Sequence, residues 1–122
     1  MTTLSKRFLF VVRRGPVTGA LAREALDQIL CVAAFDQLVR VLFVDDGVFQ
    51  LVERSSDELT MRHASIPMLR VLDFYDVREV LVESESLRAR GLGDQDLAIS
   101  ASVIPASTVK ELWVQHDLVV VC

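Results

Sequence analysis

Val41-Leu42-Phe43-Val44-Asp45-Asp46-Gly47-Val48-Phe49-Gln50-Leu51 is the stretch on which the reading of this chain turns. Four apolar residues run straight into two carboxylates and a glycine, and an apolar-polar-apolar segment follows. A strand covered on both faces loses the usual polar-apolar alternation, so Val41–Val44 reads as a buried strand of a parallel sheet. Its abrupt end in acid and glycine marks the carboxyl edge of that sheet, where the sites of open α/β folds lie.

The rest of the chain alternates strand and helix patterns around it, which is the α/β signature. Phe8–Val12 reads as the first strand. Arg13–Gly19 is a loop, broken by Gly15-Pro16, with Thr18 placed to cap a helix. That helix should run to about Phe35, because Ala22, Ala25, Leu26, Ile29 and Ala33 recur at helical spacing. Leu30, Cys31, Val32, Ala34 and Phe35 make its second half apolar all round. A helix apolar on every side is buried on every side, so another subunit is expected to cover it. Leu38–Val44 is the second strand, in a central position. Val52–Asp57 is polar and exposed. Met61–Phe74 reads as a helix with Pro67 near its start, Val77–Val82 as the third strand, and Ser84–Arg90 as a short helix stopped by Gly91. Leu97–Val103 is the fourth strand. Pro105 suits the first turn of a last helix reaching about Gln115, and Leu118–Cys122 closes the sheet. The expected architecture is a single domain over residues 1–122. It has a five-stranded, mostly parallel sheet with helices on both faces, a flavodoxin-like three-layer sandwich.

Composition narrows the possible functions. Hydrophobic residues make up 52% of the 122 and the mean hydropathy is +0.39. Even so, the longest apolar runs, Ile29–Phe35 and Leu118–Cys122, fall far short of the roughly 20 residues that cross a bilayer. Arg13 and Arg14 stop the run Phe8–Val12, so no signal peptide is expected. A domain this small and this apolar has more greasy surface than one core uses, which favours an obligate complex. The net charge of −4 and pI near 5.1 argue against direct nucleic-acid binding, which needs a basic face. Two cysteines form no disulfide framework and point to a reducing cytoplasm.

Few residues carry the marks of chemistry. Cys31 sits mid-helix between Leu30 and Val32, with no basic residue within four positions, and reads as a small buried hydrophobe. Cys122 is the last residue in the sequence, and nothing near it activates its thiol. Asp45 and Asp46 suggest a general-acid pair or half a metal site. No further ligands recur at useful spacing, so the preferred reading is that they end the strand, cap the next turn and leave Gly47 free for positive φ. Phe49 and Leu51 flank Gln50 and should project together as an apolar hook. Val48, Phe49 and Leu51 would then grip the core or a neighbour. The loop Arg13–Gly19 lacks both the P-loop lysine and the dinucleotide glycine spacing. His63 and His116 have no orienting partner in sequence. Trp113 and Val109 share a helical face that reads as core or interface. No cofactor and no metal site is expected.

Several segments, in order, resemble the DsrE/DsrF-like family, and within it the TusC and DsrF subunits of bacterial sulfur-relay complexes. They are Gly15–Asp27, Ala33-Ala34-Phe35-Asp36-Gln37, Val41–Leu51, Tyr75-Asp76-Val77-Arg78 and Ser86-Leu87-Arg88-Ala89-Arg90-Gly91-Leu92. The resemblance implies the DsrEFH-like α/β sandwich. It also implies a heterohexamer with TusB-like and TusD-like subunits, fed by a TusA-like carrier and discharging to a TusE-like one. The destination so implied is the 2-thio group of the wobble uridine of certain transfer RNAs. In that family the persulfide-bearing cysteine stands just before a helix similar to Ser86–Gly91. The matching position here is Val82 or Glu83, so the resemblance implies a structural subunit rather than a sulfur carrier. Asp45, Asp46, Gly47, Val48, Phe49 and Leu51, with Leu30 and Phe35, are the interface or family-loop candidates. DsrF chains tend to carry an acidic insertion before the last helix, and Leu97–Pro105 has none, which favours TusC. The alternatives are a DsrF subunit of a DsrEFH complex in dissimilatory sulfur oxidation, and a self-sufficient sulfurtransferase using Cys31 or Cys122. A small-ligand flavodoxin-like module is a fourth, resting on fold alone.

Overall fold

A computed structural model describes residues 6–15, 20–35, 37–52 and 79–122, with the backbone alone at 20–26. Five strands form one all-parallel sheet: β1 (Arg7–Val12), β2 (Leu38–Phe43), β3 (Glu79–Glu83), β4 (Ser102–Ile104) and β5 (Leu118–Val121), in the order β4-β3-β2-β1-β5. The strand carrying the decisive stretch is central, as its apolar run requires: Val39, Val41, Leu42 and Phe43 are fully buried. Thr18, Pro67, His63 and the predicted helix Met61–Phe74 lie outside the described residues.

The strand order explains where the helices go. From β1 to β4 each strand is added on the same side, so right-handed crossovers keep the connecting helices on one face. The chain then returns across the sheet to put β5 beside β1, and that crossover falls on the other face. The core divides accordingly. Helix α1 (Ala20–Ala33), the 3-10 turn Asp45–Leu51 and helix α2 (Ser84–Ala89) bring Ile29, Ala33, Val48, Leu51 and Leu87 against Phe10, Val12, Val39, Val41, Phe43 and Val82. On the opposite face helix α3 (Ala106–Gln115) lays Leu112 on Leu9, Val11, Leu42, Val44 and Leu81. The order differs from the flavodoxin order 2-1-3-4-5, but the three-layer arrangement is the expected one.

β5 is stitched to β1 at both ends. Asp117 donates its N–H to the Arg7 carbonyl at 2.9 Å, and its Oδ2 accepts the Arg7 N–H at 2.8 Å. At the other end Cys122 donates to the Val11 carbonyl at 2.8 Å, and its own carbonyl accepts the Arg13 N–H at 3.1 Å. β4 is shorter than the predicted Leu97–Val103. Ala98 donates to the Leu51 carbonyl at 2.7 Å and Leu97 bridges Val52 antiparallel, so these residues tie down the 3-10 turn instead of extending the strand.

Helix α3 is held by Leu112, not by Trp113 as the shared Val109 face suggests. Leu112 is 8% exposed and Trp113 is 44% exposed. Leu112→Ala should therefore cost about 2–4 kcal/mol in urea unfolding, while Val114→Ala, at 85% exposure, should stay within about 0.5 kcal/mol of the parent.

Candidate functional site

The carboxyl ends of the strands gather most of the polar side chains that the sequence singles out. Arg13 leaves β1, Asp45 and Asp46 leave β2, Glu83 to Ser86 join β3 to α2, and Cys122 follows β5. The turn after β2 is set by a close backbone approach. Val44 N–H donates to the Val12 carbonyl at 3.0 Å and Gly47 N–H to the Val44 carbonyl at 2.9 Å. A Cβ on Gly47 would lie 2.1 Å from that same Val12 oxygen. Glycine is thus required by space and not, as expected, by positive φ. The left-handed residue is Asp45, at φ 51°, a conformation that acidic and amide side chains tolerate better than most.

Asp45 is locked in that conformation by the β3–α2 junction. Its N–H donates to Ser86 Oγ at 2.9 Å, and the Ser86 hydroxyl donates to Glu83 Oε1 at 2.6 Å. The two carboxylates do not cap the turn, which has no side-chain cap. They face arginines: Arg13 Nε meets Asp45 Oδ2 at 3.0 Å and Arg90 Nε meets Asp46 Oδ1 at 3.0 Å. Arg90 also donates to the Ser86 carbonyl at 3.2 Å. Gln50, 2% exposed, donates to the Arg14 carbonyl at 2.6 Å. The loops after β1, β2 and β3 are therefore one cross-tied unit. Asp45 and Asp46 each hold an arginine, and these pairs tie the loops to one another. Among the described residues no group of three or more His, Cys, Asp and Glu is placed to hold a metal ion.

The predicted apolar hook is not formed. An extended segment would send Phe49 and Leu51 the same way, but a 3-10 turn repeats every three residues. Val48 and Leu51 consequently share the inward face and are fully buried in this chain's own core, Gln50 is buried with them, and Phe49 is half-buried. Cys31 is likewise not the buried hydrophobe expected. It is exposed on α1, and Ala34 and Phe35, in the turn just past that helix, are exposed too, the last at 71%. Leu30 and Val32 pack part-buried against the core. Cys122 is half-buried, and that burial pushes its thiol up from the ordinary value, away from the thiolate that sulfur chemistry needs. Helix α3 starts under a further tie that sequence reasoning missed. Glu85 Oε2 accepts the Ala106 N–H at 2.9 Å. The Ser84 hydroxyl first, and this backbone bond second, hold the Glu85 carboxyl below its ordinary value. His116 is 8% exposed, at the other end of α3.

The model of the DsrE/DsrF-like family matches residues 6–122. The intracellular sulfur oxidation protein DsrF of Allochromatium vinosum is 37% identical over 98% of each chain. A TusC homolog of Vibrio parahaemolyticus is 36% identical over 84% of this chain and 86% of its own. A TusC homolog of Pseudomonas aeruginosa is 34% identical over 96% and 98%. Among solved structures the ychN protein of E. coli superposes with a TM-score of 0.76 at 13% identity, covering 96% of this chain and 99% of that one. At that identity the likeness speaks for the fold alone.

Gly47→Ala should destabilise the protein by about 3 kcal/mol or more, because only backbone can give way at Val12. Ser86→Ala should cost about 1–3 kcal/mol by stranding the Asp45 N–H, read by chemical denaturation. The stabilising part of Glu85 is complete above its ordinary value of 4.5 and is lost as pH falls below it, since its folded value is the lower one. The stability gap between the parent and Glu85→Gln, followed from pH 7 to pH 3, should accordingly close on acidification.

Proposed function

The chain belongs to the DsrE/DsrF-like family, and on that premise we propose that it is a TusC-type subunit of a sulfur-relay complex that carries no sulfur itself. One observation carries the reading. The carboxyl end of β3, where the family's sulfur-bearing cysteine would stand, holds Val82, fully buried, and Glu83, engaged by Ser86. Neither side chain forms a persulfide. The remaining thiols are poorly suited to carrying sulfur. Cys122 is held in its thiol form by burial, and Cys31 stands on the outer side of a helix, away from the cross-tied edge.

Exposed apolar side chains at the carboxyl end of α1 and in the turn just past it support a subunit role. Cys31, Ala34 and Phe35 face solvent in the lone chain, a surface that a partner would cover. We assign that cover to TusB-like and TusD-like subunits in a cytoplasmic heterohexamer. TusA-like and TusE-like carriers would exchange sulfur with the cysteine-bearing partner, in support of wobble-uridine 2-thiolation. No helix among the described residues is long and apolar enough to cross a membrane.

A DsrF role in sulfur oxidation is the second reading, favoured by the 37% identical relative of that name. That alignment runs over 134 positions against the 122 residues of this chain, so DsrF has residues that are missing here. This supports the TusC assignment.

Incubating the purified chain with a small persulfide donor and weighing it intact should leave its mass unchanged. A gain of one sulfur that disappears in Cys31→Ser would establish the self-sufficient sulfurtransferase instead. Co-expression with TusB-like and TusD-like chains should yield a single assembly by native mass measurement, disrupted by Phe35→Asp. An unchanged assembly with that variant would remove the turn after α1 from the interface.

A further inference from the structure

His116 lies in a buried polar contact that neither the core nor the carboxyl edge uses. It ends helix α3 with its Nδ1 2.6 Å from the Leu112 carbonyl oxygen. A carbonyl only accepts, so Nδ1 carries the proton and donates. Nε2 is then the bare nitrogen, and it accepts from Nη1 of Arg40 at 3.3 Å. Arg40, on β2, uses its Nε to hold Glu79 of β3 at 2.7 Å. One chain of contacts thus joins the last turn of α3 to two strands, and it works only with a neutral imidazole.

Protonation reverses the Nε2 contact. Both ring nitrogens become donors, and an N–H is set against a guanidinium that has nothing to accept with. Among the described residues, few charged groups stand near the ring. Arg40 faces it from β2, and Glu79 from β3 is already held by Arg40. Arg7 of β1 is paired with Asp117, the residue that follows His116. On α3 itself, Lys110 and Glu111 are exposed.

We propose that His116 is a proton-controlled latch on the last turn of α3. Neutral, it pins that turn to Arg40. Protonated, it loses its acceptor and releases the turn, with the Trp113 and Val114 surface that the turn presents.

Trp113 is the single tryptophan of the chain and reports on its own turn. Acrylamide quenching of its fluorescence should increase between pH 8 and pH 5.5, by up to about two-fold as exposure rises from 44% toward completion. His116→Gln keeps a neutral acceptor at every pH and should quench equally at both values, whereas His63→Gln should behave as the parent. A parent that quenches equally at both pH values, or the same increase in His116→Gln, overturns the proposal. Should that variant not fold, Arg40→Gln removes the opposing cation and must also abolish the response. Ring nitrogen resonances of the parent at pH 8 must show the proton on Nδ1, and the opposite tautomer overturns the latch without any variant.

Discussion

Two backbones meet at Gly47 and Val12, and the carboxyl edge of the sheet is arranged around that meeting. The Val12 carbonyl accepts the Val44 N–H and leaves no room for a Cβ at Gly47. The chain leaving β2 must therefore drop at once into a tight turn. That turn sends Val48 and Leu51 down into the α1-side core and leaves two carboxylates at the rim. It also forces Asp45 into the left-handed region, a local cost of order 1–3 kcal/mol that persists only where neighbours over-determine it. Ser86, Glu83 and Arg13 are those neighbours. An edge tied in this way resists motion, and its polar groups are occupied by one another.

That occupancy separates architecture from chemistry. The fold places loops where α/β proteins hold their sites, yet here the acids face arginines and the end of β3 holds Val82 and Glu83. Surface is what remains available for function. Phe35 stands exposed just past α1, and Trp113 and Val114 are exposed on the last turn of α3, which Leu112 anchors and His116 ends. A chain whose polar edge is closed and whose helices are open suits assembly better than catalysis. The two thiols agree with this, one held back by burial and the other standing outside the cross-tied edge.

The strands were legible in sequence because strands of a parallel sheet write themselves as near-continuous apolar runs, and β1, β2 and β5 fall within a residue or two of their expected limits. The stop of α2 was legible for a similar reason: Gly91 takes φ 70°, which favours glycine. The turn after β2 was not. Over Val48–Leu51, periods of two and three place Leu51 inward alike and differ chiefly at Val48 and Phe49. The choice was made by Gly47 pressing on Val12, thirty-five residues away. Cys31 was misread because apolar neighbours in sequence imply burial without saying whose surface provides it. Within this chain α1 has only one covered side at its carboxyl half. The acceptor role of His116 was invisible, since Arg40 and Glu79 come to it from other strands.

We propose that this chain shapes a sulfur-relay assembly without handling sulfur. The direct measurement is sulfur transfer through the purified assembly when this subunit carries both Cys31→Ser and Cys122→Ser. Transfer should run at the parental rate, because neither thiol lies on the proposed route. Loss of transfer from an assembly that is otherwise intact would contradict it, and would place the relay on this chain.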